Sequence, residues 1–211
     1  MTTAALDVRK SPRQRRSQAT VEAIVEAAAR ILETLGPAGF NTNAVARRAG
    51  VSVGSLYQYF PGKQALIAEL SRRNAEQALG GLAEAAARTA GQPILARLRA
   101  FVRVAIAQQS ARPRLSRVLD QLEENLSLTT DARATAPAIL ELLTPVLAVG
   151  QTGANPAALT SIAGDCLALA RVLIDRALDG GALDGAGLEA SLENRVVGTL
   201  AGYLNGAGVA I

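Results

Sequence analysis

The chain has no histidine, no tryptophan and a single cysteine, Cys166, in 211 residues. Without histidine, neither a Ser-His-Asp nor a Cys-His nucleophile pair can form, and a histidine-based zinc site is excluded. One cysteine leaves no internal disulfide to make. Paired carboxylates remain chemically open, but no spacing marks a pair. No catalytic residue, metal or cofactor is therefore expected, and the chain reads as a non-enzyme. Aromatic residues make up only 3% of the sequence. The core must be built from Leu, Ala, Val and Ile, which suits helices packed on helices. No stretch approaches the roughly 18 uninterrupted apolar residues of a membrane-spanning helix. The basic N-terminus runs into Glu22 and Glu26 without an apolar segment, unlike a secretory signal. These absences predict a cytoplasmic protein with no membrane partner.

What is present is more specific. Hydrophobic residues account for 49% of the chain, enough for a sizeable core, and the net charge is +4. That charge is unevenly placed. Residues 1–63 hold nine basic and four acidic groups, whereas the remaining 148 residues hold thirteen basic and fourteen acidic. A positive first third on a neutral body is the distribution of a polyanion-binding head.

Residues 1–16 are polar and basic and include Pro12, which predicts a flexible basic arm. From Ser17 the apolar positions Val21, Ile24, Val25, Ala28, Ile31, Leu32 and Leu35 follow a helical period. Gly36-Pro37 and Gly39 end that helix. Asn41-Thr42-Asn43 supplies a cap, assigned to Thr42, for a short helix through Ala44–Arg48. Gly50 breaks it, Ser52 caps the next, and Pro61-Gly62 precedes a long helix from Lys63. Beyond residue 90 the pattern is amphipathic helix after helix, over about 94–110, 114–127, 133–149, 156–180 and 187–205. No strand alternation is seen. The expected architecture is all-α: an arm (1–16), a three-helix head (17–63) and a larger helical domain (64–211).

Residues 42–60 read TNAVARRAGVSVGSLYQYF. A two-turn helix ends at Ala49-Gly50, where glycine accepts a left-handed conformation cheaply. Val51 turns inward and Ser52 caps the following helix. Val45, Ala46, Ala49, Val51 and Leu56 share the inner side. Two short helices joined by a tight glycine turn make a helix-turn-helix. Its second helix leaves Ser52, Val53, Ser55, Tyr57, Gln58 and Tyr59 for the outside, where a recognition helix meets the major groove.

Residues 13–70 resemble the DNA-binding head of the TetR/AcrR family of regulators. The resemblance rests on Arg13, Arg15 and Arg16 before the first helix, Thr42, Val45-Ala46, Ala49-Gly50-Val51-Ser52, Gly54-Ser55-Leu56-Tyr57, and Phe60-Pro61-Gly62-Lys63 with Leu66. It covers about the first third of the chain. It implies phosphate or sugar contacts from Thr42, Ser52, Ser55, Tyr57, Tyr59 and Lys63. Val53, Gly54 and Tyr57 come nearest the base edges, and Arg13, Arg15 and Arg16 act from the arm. Tyr59 departs from the family, which very often has histidine there. The implied partners are double-stranded operator DNA, a second copy of the chain and a small-molecule effector. The commoner output of the family is repression.

For the larger domain the family plan gives only an outline. A dimer built from the last two helices implicates Ile162, Cys166, Ala170 and Leu173 with Leu192, Val196, Leu200 and Tyr203. An effector pocket among the middle helices draws on Phe101, Val104, Leu122, Asn125, Leu143 and Leu169. Scarce aromatics favour an aliphatic or otherwise apolar effector. The alternative for each residue in both groups is a place in the domain's own core. Three other readings of the whole compete: an all-helical hydrolase or lyase, against which the lack of histidine and of metal-ligand spacing argues; a nonspecific architectural DNA-binding protein; and a family member that has lost DNA binding and acts through partners.

Overall fold

The computed structural model describes residues 15–126, 130–151, 153, 155–179 and 186–211. Among the described residues the chain is helical, with no strand. The helices are α1 (Arg15–Gly39), α2 (Thr42–Ala49), α3 (Val53–Tyr59), α4 (Lys63–Arg88), α5 (Ile94–Ala111), α6 (Pro113–Leu126), α7 (Thr130–Leu147), α8 (Pro156–Asp179) and α9 (Ala186–Gly206). The all-α expectation holds, and every predicted segment appears within a few residues. Two compact units are present. One holds α1 to α3, α4 up to Ala75, and α6; the other holds α4 from Glu76, α5, α7 from Arg133, α8 and α9.

The first unit follows from its apolar spacing. Val21, Ile24, Val25, Ala28, Ile31 and Leu32 on α1 are all buried, as the helical period requires. Leu35 continues the same stripe yet is exposed, because Gly36 (φ 64°) breaks the regular helix directly after it. Phe40, Val45, Leu56, Phe60 and Leu66 close the core from α2, α3 and α4. Leu115 and Leu119 of α6 join the same core, although α6 is distant in sequence.

An ion-pair network fastens α4 to α1. Glu69 is buried and accepts from Arg72 Nε at 2.9 Å and from Arg73 Nε at 2.7 Å. Arg73 Nη2 also donates to Glu22 Oε1 at 3.0 Å. Burial alone raises the Glu69 pKa, but hydrogen bonds and charge from Arg72 and Arg73 outweigh it and hold the carboxyl below its ordinary value. A carboxylate depressed in the folded state contributes fully above its unfolded pKa of about 4.3. That contribution is lost as pH falls through the folded value. Glu69→Gln is therefore expected to lower stability at neutral pH by roughly 1–3 kcal/mol. It should also shrink the loss on acidification, as read by urea denaturation at neutral pH and at about pH 3.

In the second unit α5 packs on α8 and α9. Leu98, Val146, Leu147, Ala163, Ile174, Val196 and Leu204 form its centre. Buried Glu193 of α9 accepts from Arg99 Nη1 and Arg103 Nε of α5, each at 2.7 Å. Phe101 and Leu143 are buried in this core, with Val104 and Leu169 packed against it. Leu122 departs from expectation: it packs against the core of the first unit. The side chain of Asn125 lies outside the described residues.

The residues expected at a dimer surface divide. Cys166, Leu192, Val196 and Leu200 are buried within the chain's own core and offer no surface to another molecule. Burial, with the Asp165 charge beside it, pushes the Cys166 thiol up to about 11, so it behaves as a small packing residue. Ile162, Ala170, Leu173 and Tyr203 are partly buried against that core, and the Tyr203 hydroxyl donates to Asp165. What these two helices turn outward mixes small residues with polar and charged ones. On α8 the exposed residues include Ser161, Asp165, Ala168, Arg171 and Val172, with Gly164 half-buried; on α9 they include Ser191, Asn194, Arg195, Gly198, Thr199 and Gly202. A Cβ added at Gly164, Gly198 or Gly202 would meet nothing within 4 Å. By length and composition Pro156–Leu178 is apolar enough to cross a membrane, against the sequence expectation, and only 22% of that stretch is buried inside the chain.

Candidate nucleic-acid interface

The helix-turn-helix forms from local chemistry. Asn41 rather than Thr42 caps α2: its side-chain oxygen accepts from Ala44 N at 2.9 Å. Gly50 stops α2 in the left-handed conformation (φ 68°, ψ 29°), and the N–H of Val51 donates back to Ala46 at 3.0 Å. Ser52 then caps α3, its hydroxyl accepting from Ser55 N at 3.0 Å. Leu56 and Phe60 are fully buried and pin α3 from beneath.

The opposite side of α3 is open. Val53 is 38% exposed and Tyr57 is 41% exposed, and Ser52, Gly54 and Gln58 are exposed with them. Spacing explains the division: Tyr57 and Gln58 stand one turn beyond Val53 and Gly54, away from Leu56. Tyr59 goes the other way. It is only 7% exposed, and its hydroxyl donates to Ser17 Oγ of α1 at 3.4 Å. Three residues after Leu56, Tyr59 belongs to the inner stripe, so its ring is packing against α1 and not an outward contact. The period that identified Leu56 and Phe60 carried this information already.

Several hydroxyls on the open side are tied to one another. Thr42 Oγ1 and Tyr57 Oη lie 3.2 Å apart, joining the start of α2 to the outer face of α3. Ser52 Oγ and Ser55 Oγ lie 2.8 Å apart. These links fix side-chain positions before any partner arrives. Lys63, the first residue of α4, is exposed. Between Glu33 and Glu69 the sequence has no acidic residue, while Arg47, Arg48 and Lys63 are basic and exposed. The surface is therefore positive and suited to a polyanion. Arg13 lies outside the described residues; Arg15 and Arg16 begin α1, and their side chains are likewise undescribed.

Gly54 stands in the middle of this surface. It lies inside α3, where glycine is about 1 kcal/mol less favourable than alanine. Its conformation does not require glycine, and an added Cβ would meet only Ser52 Oγ, at 3.8 Å. Nothing among the described residues demands the missing side chain. A glycine here leaves the outer surface of α3 flat and open to close approach.

Residues 24–70 match the model of bacterial regulatory proteins of the tetR family. Solved structures share the fold over nearly the whole chain. A transcriptional regulator from Rhodococcus sp. RHA1 is 25% identical with a TM-score of 0.70, covering 90% of this chain and 98% of its own. A TetR-family regulator from Streptomyces coelicolor is 23% identical with a TM-score of 0.64, covering 89% and 99%. A TetR-family regulator from Marinobacter aquaeolei VT8 is 20% identical with a TM-score of 0.65, covering 86% and 95%. Among curated proteins no sequence matches significantly.

Proposed function

Residues 24–70 carry the head of the tetR family of bacterial regulatory proteins, and from that premise we propose that the chain is a TetR-family regulator: a cytoplasmic, homodimeric repressor released from a palindromic operator by a small apolar effector. The observation that carries the DNA-binding part is the open side of α3. An uncharged face of Val53, Gly54 and Gln58 is flanked by hydroxyls, Tyr57 among them, and by Lys63. Such a face enters a major groove closely, while Thr42, Ser52, Ser55, Tyr57 and Lys63 hold the sugar-phosphate rails on either side. Tyr59 has no place in that set.

Dimerisation is supported by α8. Val172 is 54% exposed beside the small Ala168, and Ile162, Leu169 and Leu173 are only partly covered by their own chain, so another helix laid on this side would bury further apolar area. The outward faces of α8 and α9, with Gly164, Ala168, Gly198 and Gly202, allow close approach of the same two helices from a second copy. A membrane is the weaker occupant, because Asp165, Arg171, Asp175 and Arg176 lie along α8. The effector site is assigned to the second unit, around Phe101, Val104, Leu143 and Leu169. α4 begins at Lys63 in the first unit and continues into the second, so it is the element through which effector binding alters operator affinity. Linkage requires an effector to bind the free protein more tightly than the operator complex; equal affinities would remove release from the proposal.

Selection of bound fragments from genomic DNA identifies the operator. On that fragment, Lys63→Ala and Tyr57→Phe are each expected to weaken binding roughly 5- to 100-fold in fluorescence anisotropy. Lys63→Ala should also lower the slope of log affinity against log salt by about one. Unchanged affinity in both variants contradicts the reading and favours a relative that acts without DNA.

A further inference from the structure

We propose that α3 reads an A·T element in each operator half-site, with Gln58 as the adenine-reading side chain and Val53 as the contact to a thymine methyl. The inference rests on the assignment of α3 to the major groove and goes beyond it by naming the base chemistry.

Three observations lead here. First, residues 52–59, SVGSLYQY, contain neither arginine nor lysine. The commonest reader of guanine, a cationic side chain spanning O6 and N7, is absent from this helix. Second, the polar groups on its open side are mostly engaged. Ser52 and Ser55 hydrogen-bond each other, and Tyr57 is joined to Thr42. Gln58 is exposed and makes no hydrogen bond with any described residue. Its amide carries a donor and an acceptor side by side, the pattern that matches N7 and N6 of adenine. Third, Gln58 lies one turn beyond Gly54 on the same face. With no side chain at Gly54, the amide has a clear path along the helix surface. Val53, 38% exposed at the first turn, presents two methyl groups and no polar atom. Among major-groove edges only thymine offers a methyl to meet them.

A random-sequence DNA selection with wild type, Gln58→Ala and Gln58→Glu tests the proposal. The wild type is expected to enrich adenine at one fixed position of each half-site, by about 10- to 100-fold over guanine. Gln58→Ala should keep the rest of the consensus and lose that preference alone. Gln58→Glu should move the preference to cytosine, whose N4 amino group donates to a carboxylate. A merely structural role for Gln58 predicts no such base exchange. The proposal is overturned if Gln58→Ala retains the adenine preference, or if the two variants change every position equally. It also fails if the wild type enriches no sequence, and in that case the assignment of α3 to the groove fails with it.

Discussion

An arginine at Ala168 is expected to leave the protein monomeric and to lower its affinity for a palindromic operator by about 10²- to 10⁴-fold. Ala168 lies on the outward face of α8 between Gly164 and Val172, and Val172 is 54% exposed. Inside the chain an arginine there meets only solvent, so folding should change by no more than about 0.5 kcal/mol. In a dimer whose helices cross on small residues, the same arginine prevents approach and strands a charge in an apolar contact. One head alone reads only a half-site, and the gain from simultaneous engagement of two heads disappears. Sedimentation and operator titration measure both effects. Arg195 on the facing stripe of α9 sharpens the expectation, because a second cation adds repulsion to the steric clash. A variant that stays dimeric and binds normally would move the interface elsewhere.

Gly54→Leu should separate stability from function. Leucine favours a helix over glycine by roughly 0.5–1 kcal/mol. The space around Gly54 accepts a Cβ, with only Ser52 Oγ near at 3.8 Å. Thermal unfolding is thus expected to rise by roughly 2–4 °C. Operator binding should fall to the nonspecific level, a loss of about 10³-fold or more. Gly54→Ala should lie between, with the stability gain and a smaller loss in binding. Most damaging substitutions lower stability and function together, so opposite signs at one residue identify an external contact. Loss of stability in Gly54→Leu would instead point to an internal packing role for the glycine.

The fold was legible where local rules decide it. Gly50 and Ser52 set the turn between α2 and α3 through a left-handed glycine and a hydroxyl cap, both short-range effects. The stripe on α1 was read correctly until Leu35, where Gly36 breaks the period. Tyr59 was misassigned because a family position outranked its own spacing from Leu56. The cap at Asn41 was assigned one residue late, since three consecutive polar residues compete for the role. Long-range packing was not legible. Leu115, Leu119 and Leu122 of α6 look like any amphipathic stripe, and nothing local directs them to the core of the first unit. The dimer residues show the same limit in another form. A helix with a bulky buried face and a small outward face shows the bulky one to a hydrophobicity pattern. Cys166, Leu192, Val196 and Leu200 were therefore selected, although they are buried in the chain's own core, whereas the small residues these helices expose are Ala168, Gly198 and Gly202.

The central claim is that α3 occupies the major groove as one of a symmetric pair. Hydroxyl-radical footprinting of the wild-type protein on its selected genomic fragment, with binding stoichiometry measured on the same fragment, tests it most directly. The account predicts two protected patches related by a two-fold axis, spaced by about one helical turn or a multiple of it, with two chains bound. Uniform protection without a two-fold centre, or one chain saturating the site, would contradict it.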